Sequence, residues 1–201
     1  AAGAPRLVSV DLHSGQIQGF IDQPFDHLTA MPVLVDYIGK TMGDDIVVVS
    51  PDAGRVKVAE RYANVLHADL AIVHKRRTRG EKNMVEAKEV VGNVAGRTCV
   101  LIDDMIDTGG TLVAAADVLV EQGARRVCAA ATHGVLSGPA IDRLKNSTID
   151  KVVVTDTLPL PPAKQIDKLE VLSVASIIAD AIDAVFEDTS VSEIFGGANQ
   201  T

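Results

Sequence analysis

The chain has 201 residues and a formal charge of −8; 47% of its residues are hydrophobic but only 3% aromatic. That length suffices for one domain with a substantial core, and the acidic balance argues against nonspecific nucleic-acid binding. No run of about 18 apolar residues occurs, so no membrane-spanning helix is expected.

With so few aromatics, Val, Ile, Leu and Ala must build the core, which suits a parallel sheet covered by helices. The start, Ala1-Ala2-Gly3-Ala4-Pro5, has neither the basic nor the apolar region of a signal peptide. The acidic balance is common among soluble cytoplasmic enzymes, and a cytoplasmic location is expected. The chain also lacks an initiator Met, and its first strand begins almost at once, as in a fragment. Cys99 and Cys128 sit in apolar runs without metal-ligand spacing and read as buried free thiols.

In chain order, Leu7–Asp11 reads as a short strand, with 17–20 and 24–26 an irregular apolar link. Val33–Ile38 starts a helix that ends near 40–43. Ile46–Ser50 is a continuous apolar strand, followed by the turn Pro51-Asp52-Ala53-Gly54 and a helix from Arg55 to Leu66. Leu70–His74 is the next strand, and the basic stretch Lys75–Lys82 reads as a mobile loop. Val90–Val94 is a short strand and Thr98–Ile102 the central one. Leu112–Gln122 is a helix stopped by Gly123. Val127–Ala131 is a strand, Ala140–Asn146 a helix and Lys151–Thr155 a strand. A loop at Pro159–Pro162 precedes the last strand, Leu169–Ser173, and the last helix, Ile177–Phe186. The tail from Asp188 is polar, with Ile194-Phe195 apolar enough to dock. Alternating strands and helices from Ile46 onward imply an α/β fold with a parallel sheet flanked by helices.

The most informative string is Val100-Leu-Ile-Asp-Asp-Met-Ile-Asp-Thr-Gly-Gly-Thr111. An apolar strand ends in Asp103 and Asp104, where it is expected to leave the sheet. Asp107, Thr108, Gly109, Gly110 and Thr111 form a tight turn, and a helical pattern opens. Strand, small-residue turn and helix N-terminus make a phosphate cradle: N–H groups point outward, the helix dipole favours an anion, and glycines permit close approach. Carboxylates beside a phosphate repel it unless they face sugar hydroxyls or a metal ion, so the string reads as a seat for a sugar phosphate. No Gly-Lys-Ser/Thr follows the glycines, and Gly-x-Gly-x-x-Gly is absent, so neither a Walker loop nor a dinucleotide fingerprint is present. The string resembles the 5-phosphoribosyl-1-diphosphate (PRPP) motif of type I phosphoribosyltransferases and their relatives.

Three further candidates fall at the carboxyl ends of strands, where ligands gather in open parallel sheets. Asp52 is either a turn cap or a Mg²⁺ ligand. Lys75-Arg76-Arg77 is either a solvated charge run or a cationic loop that closes over developing negative charge. His13 follows the first strand in Asp11-Leu12-His13 and is either structural or a ligand.

Together these segments resemble one family, the ribose-phosphate diphosphokinases or PRPP synthetases. The resemblance rests on Asp11-Leu-His-Ser-Gly-Gln-Ile-Gln-Gly-Phe20, Ser50–Gly54, Lys75–Arg77, Asp103–Thr111, Ala131–Gly138 and Asp156-Thr-Leu-Pro159. It implies a type I phosphoribosyltransferase-like fold and transfer of the diphosphoryl group of ATP to ribose 5-phosphate, giving PRPP and AMP. It implies that Lys75 and Arg77 stabilise the transferring group. Asp103, Asp104, Asp107, Thr108, Gly109, Gly110 and Thr111, with Arg77, would bind ribose 5-phosphate, and His13 and Asp52 would bind Mg²⁺. The tail 190–195 resembles a segment near a phosphate- and ADP-responsive regulatory site. A homo-oligomer, a hexamer in the family, is implied, and neither nucleic acid nor membrane is an expected partner.

Family members begin with another α/β domain carrying an Ala-Arg-Gln-Asp type motif for the adenine nucleotide, which is absent here. The resemblance therefore implies the C-terminal half of the enzyme, with residues 1–40 a junction segment and first helix, and 41–201 the PRPP/ribose-5-phosphate-binding domain. Two rivals remain open: a phosphoribosyltransferase that consumes PRPP, and a non-catalytic sugar-phosphate-binding or assembly homologue.

Overall fold

The computed structural model describes residues 3–76 and 87–195, with side chains described for 3–74 and 89–195. Strands β1 (Leu7–Val10) and β2 (Phe25–Leu28) form a small parallel pair, in register from Leu7 opposite Phe25 to Val10 opposite Leu28. Then follow α1 (Met31–Thr41), β3 (Ile46–Ser50), α2 (Val56–Leu66), β4 (Asp69–Arg76), β5 (Ala87–Val91), β6 (Thr98–Ile106), α3 (Gly110–Glu121), β7 (Arg126–Gly134), α4 (Ala140–Asn146), β8 (Lys151–Thr155), β9 (Leu169–Leu172), α5 (Ala175–Phe186) and α6 (Val191–Ile194). Seven strands make the main sheet, in the order β5-β4-β3-β6-β7-β8-β9. All its neighbours are parallel except β5, which runs antiparallel to β4 on the edge.

The central strands are apolar on both faces because helices cover both. Val47, Val49, Leu101, Ala129 and Val154 pack beneath α3 and α4. The alternate residues Val48, Val100, Ile102, Cys128 and Val153 pack beneath α1 and α2. The two cysteines are buried free thiols on opposite faces, and burial, the largest cause, pushes both thiols up. A third cluster joins Leu28 and Val10 of the small sheet to Ile177, Ala181 and Ala184 of α5 and to Val191 and Phe195. The apolar end of the tail does dock: Phe195 is 8% exposed.

Four expectations need correction. The 17–26 stretch is not an irregular link, for it holds a 3-10 turn at Gly15–Phe20 and strand β2. β2 has only four residues, too few for a hydrophobic period to show. β6 does not leave the sheet at Asp103: it continues to Ile106, with Met105 opposite His133, because a cation from α2's entry turn offsets its carboxylates. β5 lies three residues earlier than Val90–Val94. There Gly92, at φ +124, turns the chain so close to β4 that a Cβ would come within 2.7 Å of Ala71 Cβ. Finally, Lys75 and Arg76 belong to β4 rather than to a loop, their backbones opposite Lys88 and Ala87; the rest of the expected loop, residues 77–82, lies outside the described residues.

Candidate functional site

β6 passes directly into the turn at Asp107 and then into α3. Gly109 takes φ +71, a left-handed conformation that lets the chain reverse into the helix without a Cβ penalty. The first N–H groups of α3 have no intrahelical acceptor. Leu136 N donates to Ile106 O at 2.9 Å and Ser137 N to Asp107 O at 3.0 Å, while Ser137 Oγ donates to Asp107 Oδ1. From α4, Arg143 Nη1 donates to Thr108 O at 3.0 Å. The turn is thus held from behind, with Thr108 and Thr111 exposed in front.

The acidic pair just upstream is wired to two other segments. Asp104 is 8% exposed. Its Oδ2 accepts from Arg55 Nη2 and from His13 Nδ1, each at 2.6 Å, and these two nitrogens also lie 2.6 Å apart. Arg55 Nε lies 3.4 Å from Asp103 Oδ1, which itself accepts from Asp104 N at 2.9 Å. Asp104 Oδ1 is buried without a hydrogen-bond partner. Burial, and then the neighbouring Asp104 carboxyl, push Asp103 up to about 7, with Arg55 opposing. Both carboxyls form one wall of a cavity of about 570 Å³ that extends past His13 and Arg55 to Arg61 and Tyr62.

His13 is placed by a pinned segment. Asp11 has φ 40, and its Oδ2 accepts from Ala30 N at 2.9 Å and Thr132 Oγ1 at 2.6 Å. Leu12 N donates to His27 Nε2 at 2.9 Å, and His133 Nε2 donates to Asp11 O at 2.9 Å. His13 sets Nδ1 against the Asp104 carboxyl on a side chain that is 63% exposed. A carboxylate behind an imidazole is the usual support of a metal-binding histidine. Asp52 Oδ1 caps the 3-10 turn at Ala53–Arg55 by accepting from Gly54 N at 2.7 Å. Among the described residues no three His, Cys, Asp or Glu side chains converge as a metal cluster.

The structure therefore gathers His13, Asp103 and Asp104 around Arg55, and sets Asp107, Thr108, Gly109, Gly110 and Thr111 in the adjoining turn. Asp52 sits in the turn that carries Arg55. Lys75 lies at the carboxyl end of β4, and Arg77 lies outside the described residues. Sequence reasoning missed Arg55, Ser137 and Arg143 as site residues. Arg55 directly follows the Pro-Asp-Ala-Gly turn, a signal that was available; Arg143 arrives from α4 and carries no local signal.

A family model described as the phosphoribosyl synthetase-associated domain matches residues 86–196. The chain is 59% identical over 195 residues to a ribose-phosphate pyrophosphokinase of Streptomyces avermitilis, covering 96% of the chain and 60% of that relative. It is 53% identical over 195 residues to a ribose-phosphate pyrophosphokinase of Aquifex aeolicus, covering 96% and 62% respectively. It superposes on the crystal structure of phosphoribosylpyrophosphate synthetase from Mycobacterium smegmatis with a TM-score of 0.85 and 51% identity, over 93% of the chain and 60% of that structure. The chain thus spans about 60% of the length of these relatives. With a family model matching over half its length and a sheet, turn and acidic pair set as described, the chain belongs to the phosphoribosyl synthetase-associated domain family.

Proposed function

We propose that this chain supplies the ribose-5-phosphate half of a ribose-phosphate diphosphokinase of nucleotide biosynthesis, acting in the cytoplasm as part of a homo-oligomer. The reaction transfers the β,γ-diphosphoryl group of ATP to the C1 hydroxyl of ribose 5-phosphate. The C1 oxygen bonds to the β-phosphorus and its proton is released to solvent, the bond from that phosphorus to the α,β-bridging oxygen breaks, and the products are PRPP and AMP. The observation that carries the reading is the continuity of Asp103, Asp104 and the Asp107–Thr111 turn on one strand end. It sets sugar-hydroxyl acceptors next to a phosphate cradle.

In this reading the N–H groups of the turn and of the start of α3 hold the 5-phosphate. Asp103 and the unpartnered Asp104 Oδ1 accept from ribose hydroxyls, and Arg55 keeps the carboxyl pair from repelling itself. Lys75 and Arg77 neutralise charge on the transferring group. His13 Nε2 and Asp52 would hold Mg²⁺. Two protein donors are too few for a cage but suit an ion whose shell is completed by substrate phosphates. When bound, that ion would supply charge neutralisation at the phosphate oxygens. Positioning and electrostatics are the expected strategy for such a transfer.

The test is calorimetric titration of the chain with ribose 5-phosphate and with ribose. Binding of the phosphorylated sugar with no detectable binding of ribose is expected. Equal binding of both, or of neither, overturns the reading. Release of AMP from ATP and ribose 5-phosphate, against release of pyrophosphate from PRPP and a base, separates the diphosphokinase from a phosphoribosyltransferase.

A further inference from the structure

Two turns of this chain share the spacing Asp-x-Gly between the end of a strand and the start of a helix, yet they use the aspartate differently. In Asp52-Ala53-Gly54, between β3 and α2, Asp52 Oδ1 folds back and accepts from Gly54 N at 2.7 Å. An aspartate in a turn does this when nothing else claims it: its carboxylate reaches the N–H two residues on. In Asp107-Thr108-Gly109, between β6 and α3, that closure is missing. Asp107 Oδ1 accepts instead from Ser137 Oγ, and the N–H of Gly109 has no acceptor among the described residues.

Ser137 is delivered to that carboxylate by a segment with little freedom. Leu136 N and Ser137 N bind the carbonyls of Ile106 and Asp107, so the segment follows the end of β6. Leu136 lies at φ +51, which a residue with a bulky side chain adopts only at a cost. Its side chain is 1% exposed and packs in the core beneath α3 and α4. Backbone strain of this kind persists where the surroundings over-determine it, and it gathers at ligand sites. Core packing and two backbone hydrogen bonds thus set the serine hydroxyl against Asp107.

The consequence concerns the phosphate. A carboxylate closed onto Gly109 N would consume a donor of the cradle and put a negative charge beside the place the 5-phosphate has to occupy. We propose that Ser137 is a positioning residue of the phosphate turn: it draws the Asp107 carboxylate aside and keeps Gly109 N free for the incoming phosphate. The assignment rests on the sugar-phosphate reading of the turn. It gives the Ser-Gly pair at 137–138 a task, which is to hold an internal anion out of an anion site.

The experiment is a double-mutant cycle of Ser137→Ala and Asp107→Ala with two readouts. The first needs no ligand and follows the Gly109 amide of the free chain by ¹H–¹⁵N correlation and hydrogen exchange. In Ser137→Ala this amide should move downfield and exchange several-fold more slowly, because the carboxylate closes on it. Adding Ser137→Ala to Asp107→Ala should leave it where it was. The second readout is calorimetric titration with ribose 5-phosphate. Ser137→Ala should weaken binding at least ~10-fold in the parent background, the scale of one hydrogen bond to a charged group, and leave it unchanged in the Asp107→Ala background. Ser137→Thr keeps the hydroxyl and should bind as the parent does. A serine with a merely structural role weakens binding equally in both backgrounds, and that result overturns the proposal. A parent chain that binds ribose 5-phosphate while the Gly109 amide is unchanged in Ser137→Ala overturns the assignment of Ser137 alone. A parent chain that binds no ribose 5-phosphate overturns the seat itself.

Discussion

Replacing Gly109 tests the phosphate seat because two explanations of that glycine predict opposite orders. The residue sits at φ +71, and a Cβ built on it would have Leu144 Cγ at 3.8 Å and Ala140 O at 3.9 Å as its nearest protein atoms. Those are ordinary contacts, so the protein has room for a side chain and the penalty is conformational. An L-residue forced into this region loses roughly 1–2 kcal/mol, Asn loses least, and a β-branched residue loses most. At about 1.4 kcal/mol per tenfold, Gly109→Ala should weaken ribose 5-phosphate binding by roughly 5–30-fold if the strain is relieved by opening the turn. Gly109→Asn should cost less than Gly109→Ala, and Gly109→Val more. If the glycine is needed only to let phosphate approach, volume decides, and Ala binds more tightly than Asn. Calorimetry on the three variants gives the order, with thermal melting as a check on the fold. Affinity in the order Ala over Asn refutes the conformational argument, and unchanged affinity in all three refutes the placement of the phosphate.

Other perturbations address the remaining parts. Arg143→Met removes the brace on Thr108 O and should raise the apparent Kd for ribose 5-phosphate about 5-fold, the scale of one partly exposed charged hydrogen bond; Arg143→Lys should recover part of this in the same titration. The Asp156 carboxylate, accepting first from Val174 N and then from Ser173 Oγ at the start of α5, is held below its usual range. Its contribution to stability is therefore present above the unfolded carboxylate value near 3.9 and is lost as pH falls through the lower folded value. Asp156→Ala should cost about 1 kcal/mol at pH 7 in urea melts, and the difference should vanish in acid. In a full-length enzyme of the proposed function, Lys75→Ala should lower kcat at least ~100-fold, the scale of one lost transition-state donor; near-normal turnover would make Lys75–Arg77 a solvated charge run.

What could be read in advance follows from how local each signal is. Ile46–Ser50, Ala140–Asn146 and Lys151–Thr155 were legible to the residue, because each is an apolar or periodic run bounded by turn residues. The end of β6 was not, because Asp103 and Asp104 look like an exit until Arg55 is seen beside them. Asp107–Thr111 was legible because it is consecutive. The His13–Asp104 contact joins residues 91 apart, and the Arg55–Asp104 contact residues 49 apart, so neither pairing has a local trace. The turn residues around Asp52 signal a cap as readily as a ligand, and Asp52 Oδ1 is in a cap.

The third hydrophobic cluster carries a consequence for how the chain matures. Leu28, wholly buried, is covered by Ile177, Ala181, Val191 and Phe195, which are made some 150 residues later. β1 and β2 are only four residues each, and an isolated strand pair of that size has little stability of its own. Closing so long a loop is entropically slow, and apolar surface left open in the interval invites association with other chains. On a ribosome, the β1–β2 pair therefore gains this apolar cover only once α5 and α6 have emerged.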